Sequence, residues 1–277
     1  MKAKITNLIL LLLALGMALA SCDTAAKRQQ QARTLYNEGV ELREQRLSEE
    51  AAECFLQALA LMQGCEPTTE NIRLEGQLKD NLGAMYNKHG LFDDALKMHR
   101  EAIADFKQVG DTVGLMTAYR NSGRVAKSLE QFAQAKQFYD SAFCIATLLD
   151  DEPMLNDLNL ELGRDYYLPI GNYPKAIECV RRAMQGGMEG NDLDIANMTM
   201  GVLCYYTDDY ASAKTYLHAA LRSERAGLKM SVYQTLYAIA YNEGDLAQAM
   251  EYQDRFTENM MQADKEHASD NLQRLKA

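Results

Sequence analysis

Residues 83–102 read GAMYNKHGLFDDALKMHREA, and the small residues Gly83, Ala95 and Ala102 are spaced 12 and then 7 positions apart. The same spacing returns three more times along the chain, at Gly39, Ala51 and Ala58, at Gly123, Ala135 and Ala142, and at Gly201, Ala213 and Ala220. Small residues at fixed spacing are typical of helices that pack too closely for larger side chains. Their recurrence every 34 to 44 residues or so predicts a stacked array of helical hairpins.

Each repeat contains two amphipathic stripes separated by a break. In the first hairpin, Tyr36 and Leu42 share one apolar stripe, a break falls near residues 46–48, and Phe55 and Leu59 share the next stripe. The order of glycine, alanine, large residue and alanine resembles the tetratricopeptide repeat (TPR) over about residues 32–260. The resemblance implies an all-α fold, a right-handed α-solenoid of about six TPR-like helical hairpins plus a C-terminal closing helix.

Two hairpins depart from this pattern. Gly163 is followed by Ala176 after 13 residues instead of 12, with Pro169 between them. Because proline interrupts a helix, we expect the first helix of this hairpin to end near Leu168 and the extra residue to lie in the turn. In the last hairpin Tyr237 stands in place of the glycine.

The N-terminal segment is typical of a secretory signal peptide. Lys2 and Lys4 precede an apolar run, and the segment ends in Leu19-Ala20-Ser21-Cys22. This tetrad resembles the lipobox of bacterial lipoproteins, which implies cleavage before Cys22 and acylation of Cys22, with palmitate among the acyl groups. An ordinary signal peptide and an uncleaved anchor helix are the alternatives.

These assignments divide the chain into four parts. They are a signal peptide at residues 1–21, a lipidated N-terminus and linker at 22–31, the TPR-like array at 32–262 and the closing helix at 263–277. Lipidation implies a bacterial cell-envelope protein on the periplasmic side of a membrane. The architecture favours the outer membrane, whereas Asp23 resembles the inner-membrane retention signal of enteric bacteria.

Composition excludes several classes of function. Removal of Lys2 and Lys4 with the leader changes the formal net charge from -10 to -12. An acidic chain does not favour nucleic acid as a partner. The four histidines are far apart in sequence, and no nucleophile turn or glycine-rich phosphate loop is present, so we expect no catalysis, no cofactor and no metal.

The cysteines give no motif for metal or redox chemistry. Cys54, Cys65, Cys144, Cys179 and Cys204 contain no CxxC pair. Cys54 and Cys179 each follow the first alanine of their repeat by three residues, which indicates small apolar side chains packed between helices. A disulfide remains possible in an oxidising envelope, without an assignable pairing.

The first helix of each TPR hairpin lines the concave surface, and the resemblance places ligand-binding side chains there. Two residues before the glycine, the first three hairpins carry Asn37, Asn81 and Asn121. An asparagine amide both donates and accepts hydrogen bonds, so it can hold the backbone of an extended peptide. This set resembles the asparagine ladder of peptide-binding TPR proteins; asparagine merely tolerated on a polar face is the alternative.

A basic set follows on the same helices. Arg120, Arg124 and Lys127 share one helix face, and Arg164 repeats the place of Arg124 in the next hairpin. Guanidinium groups bind carboxylates bidentately, so these residues predict an acidic peptide or a free C-terminus as ligand. Solvated arginines that pair with Asp157 or Glu161 are the alternative.

Tyrosines mark the later hairpins. Tyr167, Tyr205 and Tyr241 come from corresponding ends of the first helices, and tyrosine is enriched at binding hot spots. We include these three in the predicted groove, and we leave out the neighbouring Tyr206.

Two functions from different classes fit these features. The first is a membrane-anchored scaffold or adaptor of the bacterial envelope, which binds a protein or peptide segment in its concave groove. The second is a ligand-binding sensor module related to TPR input domains, without an output domain. Self-association through the end repeats is a third, purely structural possibility.

Overall fold

A computed structural model describes residues 25–45 and 47–274, with side chains to residue 263. Within these ranges the chain forms twelve α-helices, one π-helical stretch and no strand. The helices are α1 (25–44), α2 (Ser48–Met62), α3 (Thr69–Lys88), α4 (Phe92–Val109), α5 (Thr112–Ser128), α6 (Phe132–Leu149), α7 (Glu152–Glu161), α8 (Tyr173–Gln185), α9 (Gly190–Tyr206), α10 (Tyr210–Ala220), α11 (Ala226–Asn242) and α12 (Leu246–Arg274). The signal peptide and the lipobox lie outside the described residues.

The chain divides into two compact units, Met1–Ile145 and Ala146–Ala277. The first unit contains α1 to α5 and most of α6, and the second contains the helices from α7 onward. Successive helices pair as hairpins, so that the prediction of an all-α array of about six hairpins is confirmed.

A tight turn joins the two helices of most hairpins. The second turn residue adopts a left-handed backbone, as at Gly90 (φ 76°) and Gly244 (φ 80°). Glycine adopts this conformation without strain, whereas Glu130 (φ 58°) and Asp208 (φ 58°) adopt it at the equivalent turns with a side chain.

The small residues found in the sequence lie where helices meet. A Cβ atom added to Gly123 would lie 2.5 Å from Cε1 of Tyr139, and one added to Gly39 would lie 2.6 Å from Cε1 of Phe55. The alanines of the pattern are fully buried, among them Ala95 and Ala102. The repeated spacing therefore marks the sites where the first and second helices of a hairpin approach most closely.

The fourth hairpin accommodates its extra residue differently from the prediction. Gly83 precedes the left-handed Gly90 by seven residues, but Gly163 precedes the left-handed Gly171 by eight. From each of these left-handed residues to the next alanine, Ala95 or Ala176, the distance is five. The insertion thus lies before the turn, where Leu162–Tyr167 form a π-helix. The predicted helix end near Leu168 agrees with the last π-helical residue, Tyr167.

Both ends of the array differ from the predicted boundaries. Residues 25–31, predicted as linker, already belong to α1, because Lys27, Arg28 and the following glutamines are good helix formers even where they are exposed. At the other end, residues 263–274 continue α12 without a break, so that the predicted closing helix is not a separate element.

Neither a disulfide nor a membrane span is found in the described part. Cys144 is exposed, Cys54 is half-buried and Cys204 is buried, and none of these thiols is cross-linked. Among the helices of residues 25–45 and 47–274, none has the length and apolar character needed to cross a bilayer.

The glycine contacts predict a contrast between two Gly→Ala substitutions. Gly123→Ala should lower the free energy of unfolding by about 1–3 kcal/mol, since the new methyl group overlaps the buried Tyr139 ring. Gly227→Ala meets no atom within 4 Å and should be neutral or stabilising by up to about 1 kcal/mol. Urea unfolding followed by circular dichroism measures both. Equal destabilisation by the two substitutions would contradict the packing argument.

Candidate functional site

A groove of about 660 Å³ opens on the first unit. Helices α1, α3 and α5, the first helices of their hairpins, supply almost all of its wall. We call it the first-unit groove; its residues are Tyr36, Arg43, Gln77, Asp80, Asn81, Ala84, Phe106, Asp111, Val113, Gly114, Thr117, Arg120, Asn121 and Arg124. An adjacent hollow of about 250 Å³ shares Tyr36 and Gln77 with it and adds Arg33, Asn37, Glu70, Arg73 and Leu74.

The three predicted asparagines have different environments. Asn37 is exposed and lines the adjacent hollow. Asn81 lines the groove, but its Nδ2 donates to the Gln77 carbonyl at 2.8 Å and its Oδ1 accepts a hydrogen bond from Arg43. Asn121 also lines the groove, and its Nδ2 donates to both carboxylate oxygens of Asp80, at 3.0 and 3.3 Å. The ladder is therefore partly engaged within the protein.

Asp80 is the centre of a polar network at the base of the groove. Its Oδ1 lies 2.7 Å from Nδ1 of His99, and the same carboxylate accepts the amide of Asn121. The network thus joins α3, α4 and α5. Because an ionised carboxylate only accepts hydrogen bonds, Nδ1 of His99 must carry the proton that it shares with Asp80.

His99 occupies a position that is aromatic in the neighbouring hairpins. Its imidazole lies 2.7 Å from a Cβ added to Gly83, as Phe55 lies against Gly39 and Tyr139 against Gly123. The side chain is fully buried, and its Nε2 has no hydrogen-bond partner among the described residues. A phenylalanine would fill this space without leaving a polar atom unpaired, so the histidine is explained by its bond to Asp80.

The predicted cations do not form one set. Arg120 and Arg124 are half-buried in the groove wall, whereas Lys127 is exposed and does not line it. Arg164 belongs to the second unit, where its Nε and Nη2 atoms donate to the two oxygens of Asp165 at 2.7 and 2.8 Å. Asp165 is buried, with 2% of its surface exposed. Arg164 thus binds a carboxylate of its own chain in the bidentate geometry that we expected it to form with a ligand carboxylate.

Basic side chains outnumber acidic ones among the residues that line the groove and the hollow. Arginines 33, 43, 73, 120 and 124 face three carboxylates, so that arginines exceed carboxylates by two. Two of the carboxylates are paired within the wall: Asp111 accepts from Nε of Arg73 at 3.1 Å, and Glu70 forms an ion pair with Arg33. A locally basic surface on an acidic chain attracts anionic segments.

The tyrosines of the second unit are distributed over several environments. Tyr167 is half-buried and packs on the core. Tyr205 lines a separate groove of about 410 Å³. The same groove includes Tyr206, which we had left out and which is 51% exposed. Tyr241 is 60% exposed and stacks on Tyr237, but it is not part of this groove.

Sequence reasoning predicted only four of the residues that line the first-unit groove, and Tyr36, Arg43 and Asp80 are among those that it missed. Arg43 lies four residues after Gly39, the place that Lys127 of the predicted basic set holds after Gly123. Tyr36 and Asp80 each lie three residues before their glycine, as Arg120 does, and this shared position was the overlooked signal. Burial raises the pKa of Tyr36 above its usual value, partly offset by Arg43, so that the hydroxyl stays protonated at neutral pH.

Neither of the two grooves brings together a set of metal ligands. In the described part of the chain, no group of three or more His, Cys, Asp or Glu side chains could hold a metal ion. The polar groups of the first-unit groove are amides, guanidinium groups and one network carboxylate, which suit hydrogen bonding to a ligand.

Comparison with known families gives one match, over the second and third hairpins. Residues 74–147 match the tetratricopeptide repeat family. This match covers α4 and α5, most of α3 and most of α6. Together with the hairpin order, it defines the fold class as an all-α TPR solenoid. A search of curated proteins found no match to the chain.

Solved structures share this fold at low sequence identity. PilF of Pseudomonas aeruginosa is 15% identical, with 85% of this chain and 99% of that chain covered and a TM-score of 0.58. A TPR protein from Parabacteroides merdae is 14% identical, with coverages of 83% and 80% and a TM-score of 0.56. A Rap protein complexed with competence and sporulation factor is 14% identical, with coverages of 86% and 67% and a TM-score of 0.63.

The network at the base of the groove predicts a stability effect. Asp80→Ala should lower the free energy of unfolding by about 1–3 kcal/mol, because it removes the acceptor of the buried His99 Nδ1 and of the half-buried Asn121 amide. The matched control is Asp140→Ala, which breaks the more exposed pair with Lys136 and should cost about 0–1 kcal/mol. Urea unfolding measures both variants, and an effect of Asp80→Ala as small as that of the control would argue against the network.

Proposed function

We propose that this protein is a membrane-anchored adaptor or scaffold of the bacterial cell envelope, which binds a peptide or protein segment in the first-unit groove. The observation that carries the proposal is the groove itself. First helices of three successive hairpins contribute an aromatic ring, amides and guanidinium groups to one concave surface. Extended concave surfaces are the usual binding surfaces of helical-repeat proteins.

An acidic or carboxylate-bearing segment suits this surface best. Arg43 from α1 and Arg120 from α5 both line the groove, so that a bound segment meets guanidinium groups on two helices. Guanidinium groups form short, charge-assisted hydrogen bonds with carboxylates. Tyr36 adds apolar area with a protonated hydroxyl at its tip, which is typical of binding hot spots.

The fold comparisons support a peptide or protein ligand only by analogy. The Rap protein of similar fold was solved in complex with competence and sporulation factor. Function is carried by sites and not by folds, so the assignment to this chain rests on its own groove residues. We retain the prediction that the protein is not an enzyme.

The membrane anchor is proposed from the sequence. Leu19-Ala20-Ser21-Cys22 supports cleavage before Cys22 and lipidation of its side chain and amino group. Two or more acyl chains give stable attachment to a membrane surface. We place the protein on the periplasmic side, with the outer membrane favoured over the inner membrane.

Reversal of charge in the groove tests the binding proposal. Arg43→Glu combined with Arg120→Glu places two carboxylates on the groove wall and should repel an acidic segment. The measurement is quantitative mass spectrometry of proteins crosslinked to the full chain in native membranes. We expect the specific partners to fall by about tenfold or more in the variant, since charge reversal opposes binding where attraction favoured it.

The control changes the same charge elsewhere in the same unit. Lys97→Glu combined with Arg100→Glu alters exposed residues of α4 outside the groove, and it should leave the partner set unchanged. Circular dichroism checks that both variants are folded. An identical partner set for wild type and groove variant would overturn the proposal and favour the ligand-binding sensor module or self-association.

Lipidation of Cys22 has its own test. Wild type expressed with an alkyne-labelled palmitate should carry the label and sediment with membranes, whereas Cys22→Ser should do neither. Cys144→Ser, which changes an exposed thiol of α6, is the matched control and should behave as wild type. Labelled, membrane-bound Cys22→Ser protein would exclude this residue as the anchor.

A further inference from the structure

The orientation of one amide in the first-unit groove is determined by its neighbours. Nδ2 of Asn121 lies within hydrogen-bond distance of both carboxylate oxygens of Asp80. A carboxylate accepts and cannot donate, so the amide nitrogen, and not the amide oxygen, must face Asp80. Oδ1 of Asn121 therefore points away from Asp80, and no hydrogen bond to it is formed within the described part of the chain.

Asp80 is itself bound by a buried side chain of the neighbouring helix α4. His99 is fully buried on α4 and binds Oδ1 of Asp80 through Nδ1 at 2.7 Å. This histidine replaces the aromatic residue that the neighbouring hairpins place against their glycines, such as Tyr139 against Gly123. The replacement costs an unpaired Nε2, and it provides a fixed donor to the carboxylate.

The corresponding amide on α3, that of Asn81, has both its nitrogen and its oxygen bonded within the protein. Asn81 uses Nδ2 for the Gln77 carbonyl and Oδ1 for Arg43. Asn121 thus differs from Asn81, because no described residue donates a hydrogen bond to its side-chain oxygen. The two positions are equivalent in sequence, two residues before Gly83 and Gly123, but they offer different chemistry to a ligand.

We propose that Asp80, held by His99, is a positioning residue that fixes Asn121 as a hydrogen-bond acceptor in the groove. The groove consequently selects a partner segment that presents a backbone N–H to Asn121, and it disfavours a segment with proline or an N-alkylated residue at that place. This inference rests on the proposed binding of a peptide segment in the first-unit groove. It adds that the bound segment must donate a hydrogen bond, and not accept one, at Asn121.

The first test needs no ligand. Side-chain amide resonances of asparagine are recorded on the full chain in detergent, isotope-labelled only in asparagine, and Asn121→Ser identifies the Asn121 pair. In the wild type, the Asn121 protons should be shifted downfield and exchange slowly with water, because they bind a carboxylate. Asp80→Asn removes the acceptor-only partner at nearly constant volume, and it should abolish the shift and speed exchange by roughly tenfold.

The second test measures the polarity of the ligand. The probe is a pool of capped hexapeptides of Asp, Glu, Gly and Ala, and the tightest member is remade as analogues that are each N-methylated at one backbone nitrogen. Fluorescence anisotropy on the full chain in detergent gives their affinities. The wild type should lose roughly tenfold in affinity for one particular analogue, because N-methylation removes the donor to Asn121. In Asp80→Asn the loss for that analogue should shrink to about threefold or less, since the amide can then turn.

A second variant and a control complete the design. His99→Phe keeps the packing that Phe55 provides in the first hairpin, removes the bond to Asp80, and should give an intermediate discrimination. Asp140→Asn makes the same charge change as Asp80→Asn on the exposed part of α6 and should behave as wild type. His99→Phe also gives the answer if Asp80→Asn does not fold.

The outcomes distinguish a failure of this inference from a failure of the proposed peptide binding. Wild type that binds no member of the pool contradicts the proposed acidic-peptide ligand, and the amide resonances then decide whether Asp80 orients Asn121. Binding with the same N-methyl discrimination in wild type, His99→Phe and Asp80→Asn overturns the inference while the proposed function stands. An unshifted, rapidly exchanging Asn121 amide in the wild type also overturns it.

Discussion

The close approach of two helices at a glycine is the contact on which five of the six hairpins depend. Gly39, Gly83, Gly123 and Gly201 each face a large side chain of the next helix at a distance that leaves no room for a Cβ atom. Buried alanines on the second helix keep the remaining contacts equally short. With the hairpin interface set by these residues, the other faces of the first helix become available for solvent and ligands. The groove exists because three such helices present those faces side by side.

Two hairpins depart from the regular repeat and still form. In the fourth hairpin one residue is inserted, and Gly163 still meets Val180 at 2.7 Å from its added Cβ. The π-helix of Leu162–Tyr167 absorbs the insertion within the helix and leaves the turn unchanged. In the last hairpin Tyr237 stands in place of the glycine, and Thr235, two residues before it, and Ala238, one residue after it, line the groove of the second unit. The same positions of the first helix thus face the groove even where the residue at the glycine position has changed.

The limits of the sequence analysis follow from what a periodic pattern contains. Spacing of glycine and alanine reports which faces are buried, so the hairpins and the groove-facing positions of Asn81, Asn121, Arg120 and Arg124 were predictable. The same spacing contains no information about partners from other helices. Asn81 was expected to be available, but Arg43, 38 residues earlier in the chain, occupies its oxygen. Arg164 was expected to face a ligand, and the adjacent Asp165 takes its guanidinium group.

His99 shows how a repeated scaffold acquires a specific site. In a regular repeat, the large side chain against the glycine has a packing role only, and aromatic rings fulfil it at Phe55 and Tyr139. A histidine of similar shape keeps this packing and brings one hydrogen-bonding nitrogen into the interior. That nitrogen stabilises a carboxylate at 9% exposure, and the carboxylate in turn determines which atom of a neighbouring amide faces the groove. A single substitution at a core position thereby changes the chemistry of the concave surface without changing the helices that form it.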